Sequence, residues 1–338
     1  MDKNNSPLVS VIVPCRNEEK FITECLESII SNDYPNEKLE ILVMDGMSED
    51  RTKEIVEKLI IQKPKSKIAL IENSKKITPV AMNLGIKKSK GEIIIKMDAH
   101  CRYKKDYISK CVKHLEESGA KNVGGVLKTI PAKDTLVAKA IAISLSHLFG
   151  AGSAYFRTGT DKLRWADTAA FGCYRKETLE ELGLFDEKME KIEDFELNWR
   201  LRKKYGQKSI LLAPDIFAYY YPSSDNFKSF FEHNFTDGFW STYSLKLGFF
   251  TFSTRHFIPL IFVSGMFLTL IFSPFFYFSR LLFDLIFGSY LLVNLFFSFK
   301  IALKNGWRYF FTMPLIFMAR HFGYGLGSIW GLIKILFK

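Results

Sequence analysis

A chain of 338 residues is too long for most single compact domains, and its composition changes along its length. Eight Lys or Arg against one acid, Asp284, between Arg255 and Lys338 give +7 of the net +11, which leaves +4 for all the rest. That distribution excludes a nucleic-acid groove as the source of the basic pI and assigns it to membrane flanks. Five cysteines, Cys15, Cys25, Cys101, Cys111 and Cys173, are odd in number and form no C-x-x-C pair, which excludes a disulfide framework and argues for a reduced, cytosol-facing domain. Met1 to Pro7 holds Lys3 but no apolar run, so no secretory signal is expected.

In chain order, Val9 to Pro14 reads as a strand stopped by proline, and Phe21 to Ile30 as a helix with Phe21, Ile22, Cys25, Leu26, Ile29 and Ile30 on one stripe. Leu39 to Met44 is a second buried strand. Gly46 then turns the chain, and Ser48 with Asp50 supplies N-cap candidates for a helix through Ile61. Lys67 to Glu72 is a third strand, Pro79 to Lys87 a helix, and Glu92 to Met97 a fourth strand. Strands alternating with helices in this way predict a doubly wound, mostly parallel α/β sheet over a catalytic domain of residues 1–225.

Farther on, Phe227 to Tyr243 sets many aromatics beside Lys228, His233 and Asp237, a composition suited to an interfacial helix within a segment of residues 226–255. Residues 256–338 then form a membrane region. Phe257 to Phe278 carries no charge and is long enough to span, and Leu281 to Phe299 is nearly as long, so the two predict a hairpin turning at Ser279 and Arg280. Lys300, Lys304 and Arg308 place both ends of that hairpin in the cytosol. Tyr309 to Ile335 contains Arg320, His321, Pro314 and several glycines, and reads equally as a third span or as a re-entrant segment.

The chemistry concentrates where strands end. Arg16, Asn17 and Glu18 follow the first strand, Asp45 the second, and Asp98 and His100 the fourth; in a parallel sheet these ends share one edge, where ligands bind. Residues i and i+2 of an extended segment point the same way, so Asp98 and His100 are candidates for one divalent ion. The plain alternative is that Asp98 caps a helix and His100 sits in a loop. A Rossmann dinucleotide domain is excluded, because the turn after the first strand reads P-C-R-N-E-E with no glycine; a P-loop is absent as well.

The strand V-S-V-I-V-P-C-R-N-E, the turn V-M-D-G-M-S-E-D-R-T, the stretch A-M-N-L-G-I-K-K-S-K-G-E leading to M-D-A-H, and I-E-D-F-E-L-N-W-R-L-R occur in an order that resembles family 2 glycosyltransferases of GT-A fold. The D-A-H variant, the H-L-F-G-A-G-S-A-Y-F-R stretch and the hydrophobic C-terminus resemble, within that family, membrane-bound exopolysaccharide glycosyltransferases of the succinoglycan ExoA type. The resemblance implies inverting transfer from a nucleoside diphosphate sugar, usually a UDP-sugar, to a lipid-linked or glycan acceptor on the cytoplasmic face of the cell membrane. It implies that Pro14, Arg16 and Glu18 line the nucleoside end and that Asp45 accepts a hydrogen bond from uracil. Asn83 falls at a position near the nucleotide, with Met82 where many relatives carry arginine. Asp98 and His100 stand for the usual pair of aspartates and would hold Mn2+ or Mg2+.

Inversion also needs a base, because a sugar hydroxyl is a poor nucleophile near neutral pH. Glu193 and Asp194 open an amphipathic helix, where acids also serve as N-caps. The resemblance assigns the base to Asp194, with Glu193 in support. It sets Asp167 to Cys173 beneath the donor sugar, with Gly172 allowing close approach. Arg157 either reaches a phosphate on a lipid-linked acceptor or is a solvated loop arginine. Two other functions remain in view: a transferase making a polyprenyl-phosphate monosaccharide, and an inactive membrane-tethered nucleotide-binding module, which would not need Asp194.

Overall fold

The computed structural model describes residues 6–250 and 253–337. Met1–Asn5, most of the stretch expected to lack an apolar run, lies outside the described residues, as does Lys338. In chain order the elements are β1 (Val9–Cys15), α1 (Ile22–Ile30), β2 (Leu39–Asp45), α2 (Thr52–Gln62), β3 (Ile68–Glu72), α3 (Thr78–Lys88), β4 (Ile93–Lys96), β5 (Cys101–Tyr103), α4 (Tyr107–Ser118), β6 (Asn122–Thr129), α5 (Leu136–Ser146), α6 (Leu148–Ala151) and α7 (Tyr155–Thr158). There follow β7 (Arg164–Trp165), β8 (Ala170–Arg175), α8 (Lys176–Glu181), α9 (Glu193–Tyr205), β9 (Ile210–Tyr220), α10 (Phe227–Tyr243), α11 (Thr254–Phe272), α12 (Tyr277–Asn305) and α13 (Arg308–Leu336).

The chain divides into two compact units, the first made of the chain up to Lys128 together with Gly159–Tyr221. Among the described residues its strands form one nine-stranded sheet in the order β3-β2-β1-β4-β8-β6-β9-β5, with β7 paired to β9. The GT-A type of α/β sheet is present, and its parallel character is confined to one side. β1 pairs in parallel with β2 and β4, and β2 with β3, because each of these strands returns through a helix. β8 runs antiparallel to both β4 and β6, which makes the sheet mixed.

Local sequence explains the parallel half. Val9, Val11, Ile12 and Val13 are fully buried, and α1 buries Ile22, Cys25, Leu26 and Ile29, the i, i+3, i+4, i+7 stripe of an amphipathic helix. α3 lies close on β1 because residue 85 is glycine; a Cβ there would sit 2.8 Å from Cγ2 of Ile12. A core of Ile12, Met44, Met82, Ile94, Tyr174, Phe185, Leu197 and Leu201 joins the strands to α3 and α9.

The second unit comprises Thr129–Thr158 and the chain from Pro222 on. The first of these segments fell inside the expected catalytic domain, yet α5 packs with α10 and α13 through Ala140, Ile141, Leu145, Phe230, Phe317 and Ala319. Arg255–Phe272 and Tyr277–Asn305 are each long and apolar enough to cross a membrane, with only 17% and 11% of the apolar stretch buried. A core helix of a soluble domain would be mostly covered. The turn between them is Ser273–Phe276, not Ser279 and Arg280. Pro274 has no amide hydrogen to continue α11, and Arg280 lies inside α12. α13 is one continuous helix despite Pro314 and its glycines.

Candidate active site

The ends of β1 and β2 are stitched to one another. Asn17 donates its amide to Ser48 Oγ at 3.0 Å and accepts at Oδ1 from the Glu49 amide at 2.8 Å, and Glu18 donates its amide to Thr52 Oγ1 at 2.7 Å. Ser48 is thus spent on the other loop and does not cap α2; Asp50 serves that helix start by accepting from the Thr52 amide at 3.0 Å. Asp45 is buried at the end of β2, accepts from the Ser48 amide at 3.2 Å, and borders a pocket of about 400 Å3 with Lys53, Glu57 and Glu72. Pro14 pairs with Met44 inside β1, which runs on to Cys15 and is not stopped by the proline, and Arg16 lies half-exposed, 3.6 Å from Glu49.

At the end of β4 the decisive residue is one that sequence reading passed over. Lys96, 4% exposed, places Nζ 2.8 Å from Asp194 Oδ2, 2.9 Å from Glu193 Oε1 and 3.8 Å from Asp98 Oδ1. The signal was available: a lone lysine within the apolar run I-I-I-K-M must find charged partners once the strand is buried. Burial lowers the Lys96 pKa, but Asp194, Asp98 and Glu193 outweigh it and hold the ammonium well above its ordinary value. Burial pushes the Asp194 carboxyl up, Lys96 pulls it back, and Glu193 and Asp98 push it up again, to about 6. Glu193 is buried, whereas Asp194 keeps a third of its side-chain surface open.

Neither acid is an N-cap. The cap position of α9 is Ile192, with φ 55° and no side-chain bond, so Glu193 and Asp194 sit inside the first turn, where the helix dipole favours negative charge. A β-branched residue in left-handed conformation is strained. Asn17, Met47 and Phe171 share that conformation, and each lies within two residues of an expected site residue. Backbone strain of this kind gathers at functional sites.

Asp98 and His100 stand beyond the end of β4 across a turn, not on an extended segment as expected. The backbone of Asp98 is gripped by Tyr103 Oη at 3.1 Å and Cys25 Sγ at 3.5 Å. His100 Nδ1 lies 2.9 Å from Glu18 Oε1. Burial lowers the imidazole pKa, but the hydrogen bond and charge of Glu18 overcome it and leave the ring above its ordinary value. A carboxylate on one ring nitrogen fixes the tautomer that offers the other nitrogen to a metal, so this donor set fits a divalent ion. Among the described residues no three His, Cys, Asp or Glu side chains gather as a complete metal cage. Two protein ligands with the rest from substrate phosphate is how Mg2+ is commonly held.

Three expected residues are placed otherwise. Asn83 is buried, donates to Phe185 O at 2.9 Å and to Glu187 Oε1 at 3.2 Å, and accepts from the Phe185 amide at 2.9 Å. Its amide group is therefore committed to the loop after α8, and Met82 beside it is core. Gly172 is glycine because the Tyr174 ring leans over it, where a Cβ would clash with the ring and its hydroxyl; the close approach comes from the protein itself. Arg157 lies within α7 in the second unit, with its guanidinium 5.4 Å from the Phe156 ring centre.

The family described as glycosyl transferase family 2 matches residues 10–183. The dolichyl N-acetyl-alpha-D-glucosaminyl phosphate 3-beta-D-2,3-diacetamido-2,3-dideoxy-beta-D-glucuronosyltransferase of Methanococcus voltae is 27% identical over 96% of this chain and 97% of its own. The succinoglycan biosynthesis protein ExoA of Rhizobium meliloti is 28% identical over 60% of each chain. Among solved structures, the mannosyltransferase PcManGT from Pyrobaculum calidifontis, in complex with GDP-Man and Mn2+, superposes with a TM-score of 0.58 at 19% identity, covering 98% of this chain and 89% of that one.

Proposed function

This chain belongs to glycosyl transferase family 2 and is a glycosyltransferase, and from that premise we propose that it moves a sugar from a nucleoside diphosphate donor, a UDP-sugar, to a lipid-linked acceptor with inversion at the anomeric carbon. The observation that carries the reading is the gathering of Asp98, Glu193 and Asp194 on Lys96 at the end of β4. A donor-binding acid and a candidate base are thereby held on one centre. The dolichyl phosphate in the name of the Methanococcus voltae relative supports a lipid-linked acceptor, and the two long apolar helices support a membrane location for the enzyme.

In this mechanism Asp45 and the loops after β1 and β2 receive the nucleoside. Asp98 and His100 would hold a divalent ion, Mn2+ or Mg2+, which supplies Lewis-acid stabilisation of the departing diphosphate. Asp194 takes the proton of the acceptor hydroxyl as its oxygen bonds to the anomeric carbon. The bond from that carbon to the diphosphate breaks, and its electron pair leaves with the diphosphate. A positioned base contributes about 10²–10⁴-fold in rate.

The test uses the full chain in detergent with a panel of UDP- and GDP-sugars and extracted lipid-linked acceptors. Transfer is expected from a UDP-sugar with inverted configuration, lost on chelation and restored by Mn2+ or Mg2+. Undiminished transfer in chelator would remove the metal assignment, and a retained anomer would overturn the mechanism.

A further inference from the structure

We propose that Lys96 is a positioning residue for the transfer step and acts through Asp194, an inference that rests on the role given to Asp194 above. An ammonium is taken out of water on a core strand only when charged partners replace its hydration. Here those partners come from two segments distant in sequence, the turn after β4 and the start of α9. Two of the three ammonium protons go to Asp194 and Glu193, and the charge also faces Asp98.

The geometry separates the two helix acids. Glu193 is buried, so its contact with Lys96 anchors α9. Asp194 is partly open, and Lys96 takes only its Oδ2, which leaves Oδ1 for an acceptor hydroxyl. One amine thereby fixes the rotation of the base. It also separates three carboxylates that in a water-poor site would drive a proton onto one of their number. Arginine would not replace it, because a planar fork cannot point its donors at acids on three sides as a compact ammonium does.

The experiment compares Lys96→Met, Asp194→Asn and the double variant in the full chain, reading kcat, KM for donor and acceptor, binding of the donor nucleotide and the thermal unfolding midpoint. Lys96→Met is expected to lower kcat about a hundredfold while donor KM changes by less than about threefold. In the Asp194→Asn background the same change should lower kcat by no more than about threefold further, since the two act as a unit. Losses that multiply, or a kcat near that of the parent, overturn the proposal. An active Asp194→Asn overturns the base assignment itself, so the two failures are told apart. If Lys96→Met does not fold, Lys96→Met with Glu193→Gln removes one charge of each sign and is measured in the same way. A folded variant of that kind transferring at the parent rate overturns the proposal.

Discussion

At Asp194 the chemistry of a base and the chemistry of a helix start lead to opposite expectations. Asparagine keeps the size of aspartate and gives up only its charge, worth about 0.3–1 kcal/mol in the first turn of a helix, so a residue needed only there would tolerate Asp194→Asn. As the base, it should lose at least about a hundredfold in kcat while donor nucleotide binding survives. Glu193→Gln should cost less, because that side chain is buried against Lys96. The acid limb follows from the same site: burial and neighbouring acids push the Asp194 carboxyl up to about 6. Protonation disables a base, so kcat should fall about tenfold per pH unit below that value. A pH–rate profile of the parent without an acid limb near there would remove the assignment. At His100, substitution by Ala should weaken Mn2+-dependent binding of the donor nucleotide, and Glu18→Gln should do so by about 10- to 100-fold by releasing the ring. Titration calorimetry with UDP and Mn2+ reads both.

Among the helices, Gly323, Gly325 and Gly327 read in the sequence as breaks in the periodicity of α13, and the fold uses the row Gly323, Gly327 and Gly331 as a packing seam. A Cβ at Gly323 would lie 2.9 Å from Phe231 O, one at Gly331 2.6 Å from Phe239 O, and one at Gly327 would overlap Phe235 O, so the backbones of α10 and α13 approach closely at each turn. Gly238 returns the contact against Tyr324 O, and Thr242 Oγ1 donates to Ser328 O at 2.8 Å. Gly327→Ala should cost about 1–3 kcal/mol by overpacking, seen as a lower unfolding midpoint in detergent. Gly288 on α12 has no neighbour within 4 Å of an added Cβ, so Gly288→Ala should leave the midpoint unchanged or raise it. Equal loss at both positions would contradict the seam.

For the whole molecule, the membrane reading turns on where the hairpin bends. A reporter inserted within Ser273–Phe276 should lie outside, and one at Gly306, beside Lys300, Lys304 and Arg308, inside; both on one side would refute two spans. The sequence alone determined the alternation of strand and helix through β4, because period and turn chemistry are local properties. It also determined that Asp45, Asp98 and His100 lie at or just beyond strand ends, and that two apolar runs are long enough to span. Pro274 sets the bend within those runs, a local signal inside a stretch that no charge interrupts. What tertiary structure decided is partnership. Lys96 meets Glu193 and Asp194 because β4 lies beside β8 in the sheet and α9 shares its core. Asn83 turns to Phe185, Gly172 is filled by Tyr174, and Thr129–Thr158 joins the second unit. Such pairings depend on which distant segments become neighbours, and no local pattern of residues encodes that.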